Sequence, residues 1–453
     1  MSSTTRLAFI SLCLGFFMVI LDVTIVNVAL PSIADYFSAS LPSLQWAVDG
    51  YTLFFAGLLL LSGTLANRFG AKLVFQYGLI LFSIMSLACG IANTIEELII
   101  YRCLQGASGA IMLPPSLSLI NVIYGDEKQR AKAIGIWASL GGVACASGPF
   151  LGGILTMAYS WRCVFLVNVV VGIFAFILCT RFIRNTKKEK NKLPFNYMSL
   201  VLVFCAIFCF AYSFIEVSSV GWKGGSVWQL FILGSLFAVF YLVREAKSQY
   251  PLVPFKSLKS GSVPYGMFAS FFLNLSFYGV LFSLPFYFEY TRHYSTLTTG
   301  FALLPLSILA VFGSYLGGKS TSKHGPGFTI VLGQFVAILG YSSMYYAANS
   351  TTSYTIILLS FLLIGLGVSF TTPAMTFAAI NLNSDELSNM ASSALNTLNQ
   401  IGSLIGVAIF GSIVNQSDEI AIGVGNTFLL ACASTFFCLF MGFKILYFKK
   451  NIR

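Results

Sequence analysis

The chain has 453 residues, of which 57% are hydrophobic and 9% charged, with a net charge of +11 and a mean hydropathy of +0.84. Soluble domains carry about 25% charged residues, so water is not the main solvent of this chain. No gap between its apolar runs is long enough to fold as a soluble catalytic domain, which excludes a conventional soluble enzyme.

A helix that crosses a bilayer needs about 20 mostly apolar residues, and only helices or closed barrels satisfy their backbone polar groups inside lipid. The apolar runs here are continuous rather than alternating, which predicts helices and an all-α polytopic membrane protein with fourteen transmembrane helices. In chain order the expected spans are Leu7–Leu30, Leu44–Leu65, Leu73–Ala92, Leu98–Val122, Ala133–Ala158, Cys163–Ile183, Tyr197–Val217 and Val227–Val243. Six more follow at Val263–Phe288, Thr298–Gly318, Phe328–Ala348, Tyr354–Ala378, Ala391–Val414 and Gly425–Phe448. The stretch Leu7–Leu21 resembles the apolar part of a signal peptide. Asp22, the further apolar run to Leu30 and the lack of a small-residue cleavage site predict an uncleaved helix instead.

Basic residues crowd into every second gap between spans. Apart from Arg162, Lys223 and Arg292 on the other side and Arg102 within a span, all 26 Lys and Arg fall in the segments on the side of the N-terminus. This bias predicts that both termini are cytoplasmic. It also accounts for the positive charge without a nucleic-acid partner. The longest polar segments are Arg184–Asn196, with the run RNTKKEKNK, and Arg244–Ser262. The ten Cys lie within or at the ends of apolar spans without metal-ligand spacing, as small hydrophobes do.

An internal echo points to two related halves. Gly63-Thr-Leu-Ala-Asn67-Arg68-Phe-Gly70 follows the second span, and Gly318-Lys-Ser-Thr-Ser322-Lys323-His-Gly325 follows the tenth in the same register. Spans one to six then match nine to fourteen. The expected organisation is a six-helix bundle at 1–183, linkers with two inserted helices at 184–262, and a second six-helix bundle at 263–453. Transporters are commonly built from such repeats, with substrate held between them.

Three ionisable residues stand inside apolar helices. At 1.5 Å per residue, Asp22 lies roughly 22 Å from the cytoplasmic face, whereas Asp49 and Arg102 lie about 8 and 6 Å below the outer one. All three fit one layer. A charge at that depth costs at least a few kcal/mol unless it is paired or hydrated, so such residues belong at a protein interior or a water-filled cavity. The functional reading is that Asp22 or Asp49 exchanges protons or neutralises a cationic substrate, with Arg102 tuning a carboxylate. The competing readings are a structural ion pair, or simple interfacial residues if the span ends lie a turn away.

Small residues form a second signal. Gln105, Gly106 and Gly109 leave a narrow face beside Arg102, and Gly148, Pro149, Gly152 and Gly153 do the same in the fifth span. Pro149 lacks a backbone donor, so a bend is expected there, suited to a pivot. Gly313–Ser320 matches the P-loop pattern letter for letter, but it closes a membrane helix rather than following a strand. Nucleotide binding is therefore not expected, nor is any cofactor. His293 and His324 fall in loops, too few for a metal site.

Leu21-Asp22-Val-Thr-Ile-Val-Asn27-Val-Ala-Leu-Pro31 resembles the first-helix motif of the fourteen-helix drug:proton antiporter branch of the major facilitator superfamily, the bacterial multidrug exporters. Gly148-Pro149-x-x-Gly152-Gly153 resembles its fifth-helix antiporter motif. Arg102, Gln105, Gly106 and Gly109 resemble its fourth-helix motif, whose arginine is linked in the family to proton coupling. Trp46-Ala-Val-Asp49-Gly-Tyr51 is similar to the start of the branch's second helix, where some exporters of cationic drugs carry an acid. Asn396-x-x-x-Gln400-x-Gly402-x-x-x-Gly406 resembles the thirteenth-helix pattern. Gly63, Arg68, Gly70 and Lys72 fit the cytoplasmic gate loop, but Asn67 and Ala71 replace a usual aspartate and a usual basic residue, and Asn399 replaces another basic one.

The resemblance implies the major facilitator fold, two six-helix bundles with two central inserted helices, and alternating access. The expected function is proton-coupled efflux of drug-sized, amphipathic and in some cases cationic compounds across the bacterial inner membrane. The partners are the substrate, protons and the lipid bilayer. The alternatives are a dedicated exporter of one metabolite, siderophore or antibiotic, and a membrane receptor that moves nothing. An antiport role also requires that Asp22 open onto an aqueous vestibule, rather than face acyl chains or lie sealed off from water.

Overall fold

The computed structural model describes residues 3–124, 126–183, 196–248, 261–348, 353–380 and 385–451. Most of the basic run after the sixth span lies outside the described residues. So does the side chain of Asn67, whereas the backbone of Gly63 belongs to the helix over Leu41–Phe69.

Among the described residues there are fourteen helices and no strand. They are α1 (Ser3–Phe37), α2 (Leu41–Phe69), α3 (Ala71–Gly90), α4 (Ile95–Ile123), α5 (Glu127–Ala158), α6 (Cys163–Phe182), α7 (Tyr197–Val220) and α8 (Gly225–Lys247). After them come α9 (Val263–Phe286), α10 (Thr296–His324), α11 (Pro326–Ala348), α12 (Tyr354–Ile380), α13 (Asp385–Gln416) and α14 (Ile420–Asn451). A π-helical turn, Tyr287–Thr291, continues α9. Length and composition alone qualify thirteen of these segments to cross a membrane. The remaining helix, α2, carries the uncharged run from Thr52 to Ala66.

Several helices outrun the expected spans. α1 continues through Pro31 to Phe37, and α5 starts at Glu127, one residue after its cap. The reason is physical: a helix can continue into the headgroup region, where hydropathy no longer marks it. Pro31 removes only the bond to the Asn27 carbonyl. Side-chain caps fix three starts, with Thr94, Asp126 and Ser295 accepting from the amides of Glu97, Gln129 and Thr298.

The chain divides into two compact units, Met1–Leu200 and Val201–Arg453. Within the first, α4 packs on α2 and α3, α1 packs on α5 and α6, and α3 packs on α6. Within the second, α12 packs on α10 and α11, α9 packs on α13 and α14, and α11 packs on α14. The second set repeats the first with each helix replaced by the one eight places later.

The echoed turn gives the register of this repeat. Gly70 and Gly325 both adopt positive φ, 95° and 91°, and donate their amides to the carbonyls of Ala66 and Thr321. Each allows the next helix to start at once, a sharp turn that glycine makes without steric cost. Ahead of these glycines in the same register stand Tyr51 and Leu306. The carbonyl of Tyr51 lies 2.1 Å from where a Cβ on Gly106 would stand, and that of Leu306 lies 2.5 Å from a Cβ on Gly365. Gly106 and Gly365 are therefore equivalent. By the same register Phe361, fully buried, takes the place of Arg102, and Tyr341 takes that of Ser86.

Candidate functional site

The first unit encloses a polar network drawn from five helices. Asp22 of α1 has no solvent exposure and Arg102 of α4 has 1%. Arg102 Nη1 and Asp22 Oδ2 form an ion pair. Gln105 Nε2 and Asn168 Nδ2 donate to Asp22 Oδ1 at 3.0 and 2.8 Å. Arg102 also donates from Nε to the Ala47 carbonyl of α2 at 3.0 Å and from Nη1 to Gln105 Oε1 at 2.8 Å. Its guanidinium lies 4.3 Å from the ring centre of Tyr51. On α3, Ser86 Oγ accepts from Gln105 and Asn168 at 3.0 and 3.3 Å and donates to the Phe165 carbonyl of α6 at 2.9 Å.

Helix spacing explains why these groups converge. Arg102 and Gln105 are three residues apart on α4, hence on one face, and Gly106 lets α2 approach that face closely enough for its carbonyls and Tyr51 to reach the guanidinium. Every donor around Asp22 points inward at its oxygens. Such a donor set matches an ionised carboxylate, and the cation–π and carbonyl contacts match a guanidinium without water.

Asp49 does not join this network. It stands two positions along from both Ala47 and Tyr51, which face Arg102, so at about 100° per residue it lies on the opposite side of α2. Gln45 and Thr52 share its face, and all three are buried. Neither carboxylate oxygen of Asp49 has a hydrogen-bond partner among the described residues. A buried carboxyl without a partner is accommodated at low cost only as the neutral acid or against an arriving cation.

The expected small-residue positions lie at close helix contacts. A Cβ on Gly109 would stand 3.2 Å from the Tyr51 hydroxyl, and one on Gly148 or Gly152 would meet Thr24 Oγ1 at 2.0 Å or the Ile25 carbonyl at 2.6 Å. Pro149 and Gly153 are buried within α5, which runs unbroken through the proline. In the second unit Gly402 and Gly406 press in the same way on the carbonyls of Phe271 and Leu275. In the gate loop Gly70 is buried, Arg68 Nη1 donates to the Tyr197 hydroxyl at 3.3 Å, and Lys72 donates to the Thr180 carbonyl at 3.3 Å. Gly313–Ser320 lies wholly within α10, where its amides are committed to the helix. Among the described residues no group of His, Cys, Asp and Glu is arranged to hold a metal.

Sequence reasoning missed Asn168 and Ser86. Asn168 carried a usable signal, since it is the lone amide in the apolar run VFLVNVVVGI. Ser86 carried none, because serines are scattered through most spans.

Taken together, repeated helix bundles with an ion pair enclosed at membrane depth define a multi-pass membrane transporter rather than an enzyme. The Major Facilitator Superfamily profile matches residues 12–407. The methylenomycin A resistance protein of Bacillus subtilis is 33% identical over 96% of this chain and 92% of its own length. The tetracenomycin C resistance and export protein of Streptomyces glaucescens is 30% identical over 89% of this chain and 75% of its own, and the multidrug resistance protein Stp of Mycobacterium tuberculosis is 28% identical over 91% and 76%. The crystal structure of a bacterial homologue of the human lysosomal transporter Spinster superposes with a TM-score of 0.68, at 18% identity and 99% coverage of both chains. The chain belongs to the major facilitator superfamily, and the resemblance of its motifs to the drug:proton antiporter branch is borne out.

Proposed function

We propose that this protein exports drug-sized amphipathic compounds in exchange for protons, with the Asp22–Arg102 pair as the coupling element. The observation that carries the reading is the pair itself: a carboxylate and a guanidinium kept at membrane depth, each held by groups from other helices. An ion pair broken by loss of one charge leaves the other uncompensated, at a cost of about 3–5 kcal/mol. Protonation of Asp22 thus changes the stability of the surrounding helix arrangement, which is the differential a coupled cycle needs. The expected vestibule is not open at Asp22 in the described conformation, where the carboxylate is sealed from solvent, so this reading requires a second arrangement of these helices in which water reaches it.

Asp49 takes the second role in this reading, pairing with cationic substrates or carrying a proton in their absence. The glycine contacts of α1 with α5 and of α2 with α4 serve as the closely packed surfaces along which helices shift, and the turn at Arg68, Gly70 and Lys72 serves as the cytoplasmic gate loop. Residues 1–183 and 263–453 act as the two six-helix bundles, with 184–262 carrying the inserted pair. The Lys and Arg distribution supports cytoplasmic termini in the bacterial inner membrane.

A second reading, export of one antibiotic, is favoured by relatives whose names each carry a single compound, methylenomycin A and tetracenomycin C. Proteoliposomes with an imposed pH gradient distinguish the two. Proton release on addition of ethidium and of other unrelated amphiphiles supports multidrug exchange, whereas a response to methylenomycin A alone supports a dedicated exporter.

A further inference from the structure

The donors around Asp22 pose a problem for any protonation of it. Oδ1 receives two N–H groups and Oδ2 a third, from Gln105, Asn168 and Arg102. A carboxylic acid needs the reverse, an acceptor for its own O–H. Of the neighbouring oxygens, Gln105 Oε1 already accepts from Arg102 and lies 3.6 Å from Cys89 Sγ, and Ser86 Oγ already takes two donors. Asn168 Oδ1 is different. It is buried and has no hydrogen-bond partner among the described residues.

We propose that Asn168 is the positioning residue that serves both protonation states of Asp22, donating from Nδ2 to the carboxylate and, after rotation of the amide, accepting the acid O–H at Oδ1. The inference rests on the reading of Asp22 as the proton-coupling acid. In the step a proton from water joins the Asp22 carboxylate and forms one O–H bond. The Asn168 N–H···O contact to Asp22 is exchanged for an O–H···O contact, the longer Nδ2 contact to Ser86 Oγ is given up, and no covalent bond other than the new O–H changes.

One end of the amide meets the carboxyl in either state, Nδ2 as donor to the carboxylate and Oδ1 as acceptor for the acid, so protonation does not leave the carboxyl itself without a partner. The titratable groups facing Asp22 are Arg102 from α4, Tyr51 from α2, whose ring lies under the Arg102 guanidinium, and Cys89 from α3. α5 presents Gly148 and Gly152 to the adjoining turn of α1, and α6 presents Asn168 itself. Asn168 is therefore the neutral group in the cluster with an acceptor to spare.

The test is infrared difference spectroscopy of the full-length protein in lipid vesicles, titrated from alkaline to acid pH, with asparagine side chains carrying carbon-13. A carboxylic-acid band that appears on acidification and is missing in Asp22→Asn reports Asp22. The inference expects a labelled amide carbonyl band to shift with the same midpoint, and expects that shift to be lost in both Asp22→Asn and Asn168→Leu. In Asn168→Leu the Asp22 midpoint should rise by about one pH unit, because a hydrogen bond to a carboxylate is worth more than one to the neutral acid. Asn168→Ser, whose hydroxyl donates or accepts by rotation, should restore part of that shift. If the Asp22 band titrates while the labelled amide stays still in the unmutated protein, the inference is overturned and the coupling reading stands. If no Asp22 band appears at any pH, the coupling reading falls and this inference with it.

Discussion

Phe361 fills in the second unit the position that Arg102 fills in the first. The shared register of Gly70 with Gly325 and of Gly106 with Gly365 sets this equivalence. One repeat thus encloses a guanidinium and its carboxylate, and the other encloses an aromatic ring at the same place. A buried charge pair is costly and a buried ring is not, so the two repeats differ most in electrostatic cost at this position, and the proposed coupling role falls to the first unit.

Removal of one member of the pair should be far more damaging than removal of both. Arg102→Met strands the Asp22 charge and should cost about 3–5 kcal/mol. Adding Asp22→Asn to that variant should recover a large part of the loss. Thermal denaturation of the four proteins of the cycle in detergent checks this, and additive losses would show that the two residues are not energetically coupled.

Asp49→Asn should leave the fold intact and keep or raise the melting temperature, since the carboxyl has no partner to lose. Binding of ethidium should weaken about tenfold or more, with uncharged substrates little affected. Equal weakening for charged and uncharged compounds would remove Asp49 from any charge-recognition role.

Much of this was legible in advance, for physical reasons. A bilayer demands long uninterrupted apolar helices, so hydropathy alone located fourteen of them. Asp22 and Arg102 announced themselves as charges where none is cheap. Two things were not legible. Depth along a helix placed Asp49 in the same layer, but depth says nothing of which side of α2 it occupies, and it turns away from Arg102. The hydrogen-bond partners Ser86 and Asn168 are uncharged and distant in the chain, so neither hydropathy nor charge marked them as neighbours of Asp22.

The helix contacts predict opposite outcomes for two glycines. In Gly106→Ala the new methyl would stand 2.1 Å from the Tyr51 carbonyl, a backbone atom that cannot move aside. The expected loss is about 1–3 kcal/mol, together with a shift of the Arg102 contacts. Gly142→Ala meets nothing within 4 Å and should be neutral or stabilise by up to about 1 kcal/mol through helix propensity. Melting temperatures of the two variants provide the comparison.

The central claim, that proton flow is coupled to export through Asp22, is tested most directly by ethidium transport in proteoliposomes under an imposed pH gradient, comparing the unmutated protein with Asp22→Asn. The account predicts that the variant, though less stable because the Arg102 charge is left without its partner, still folds, inserts and equilibrates ethidium across the membrane, but no longer concentrates it against its gradient. Full gradient-driven accumulation by Asp22→Asn would contradict the account.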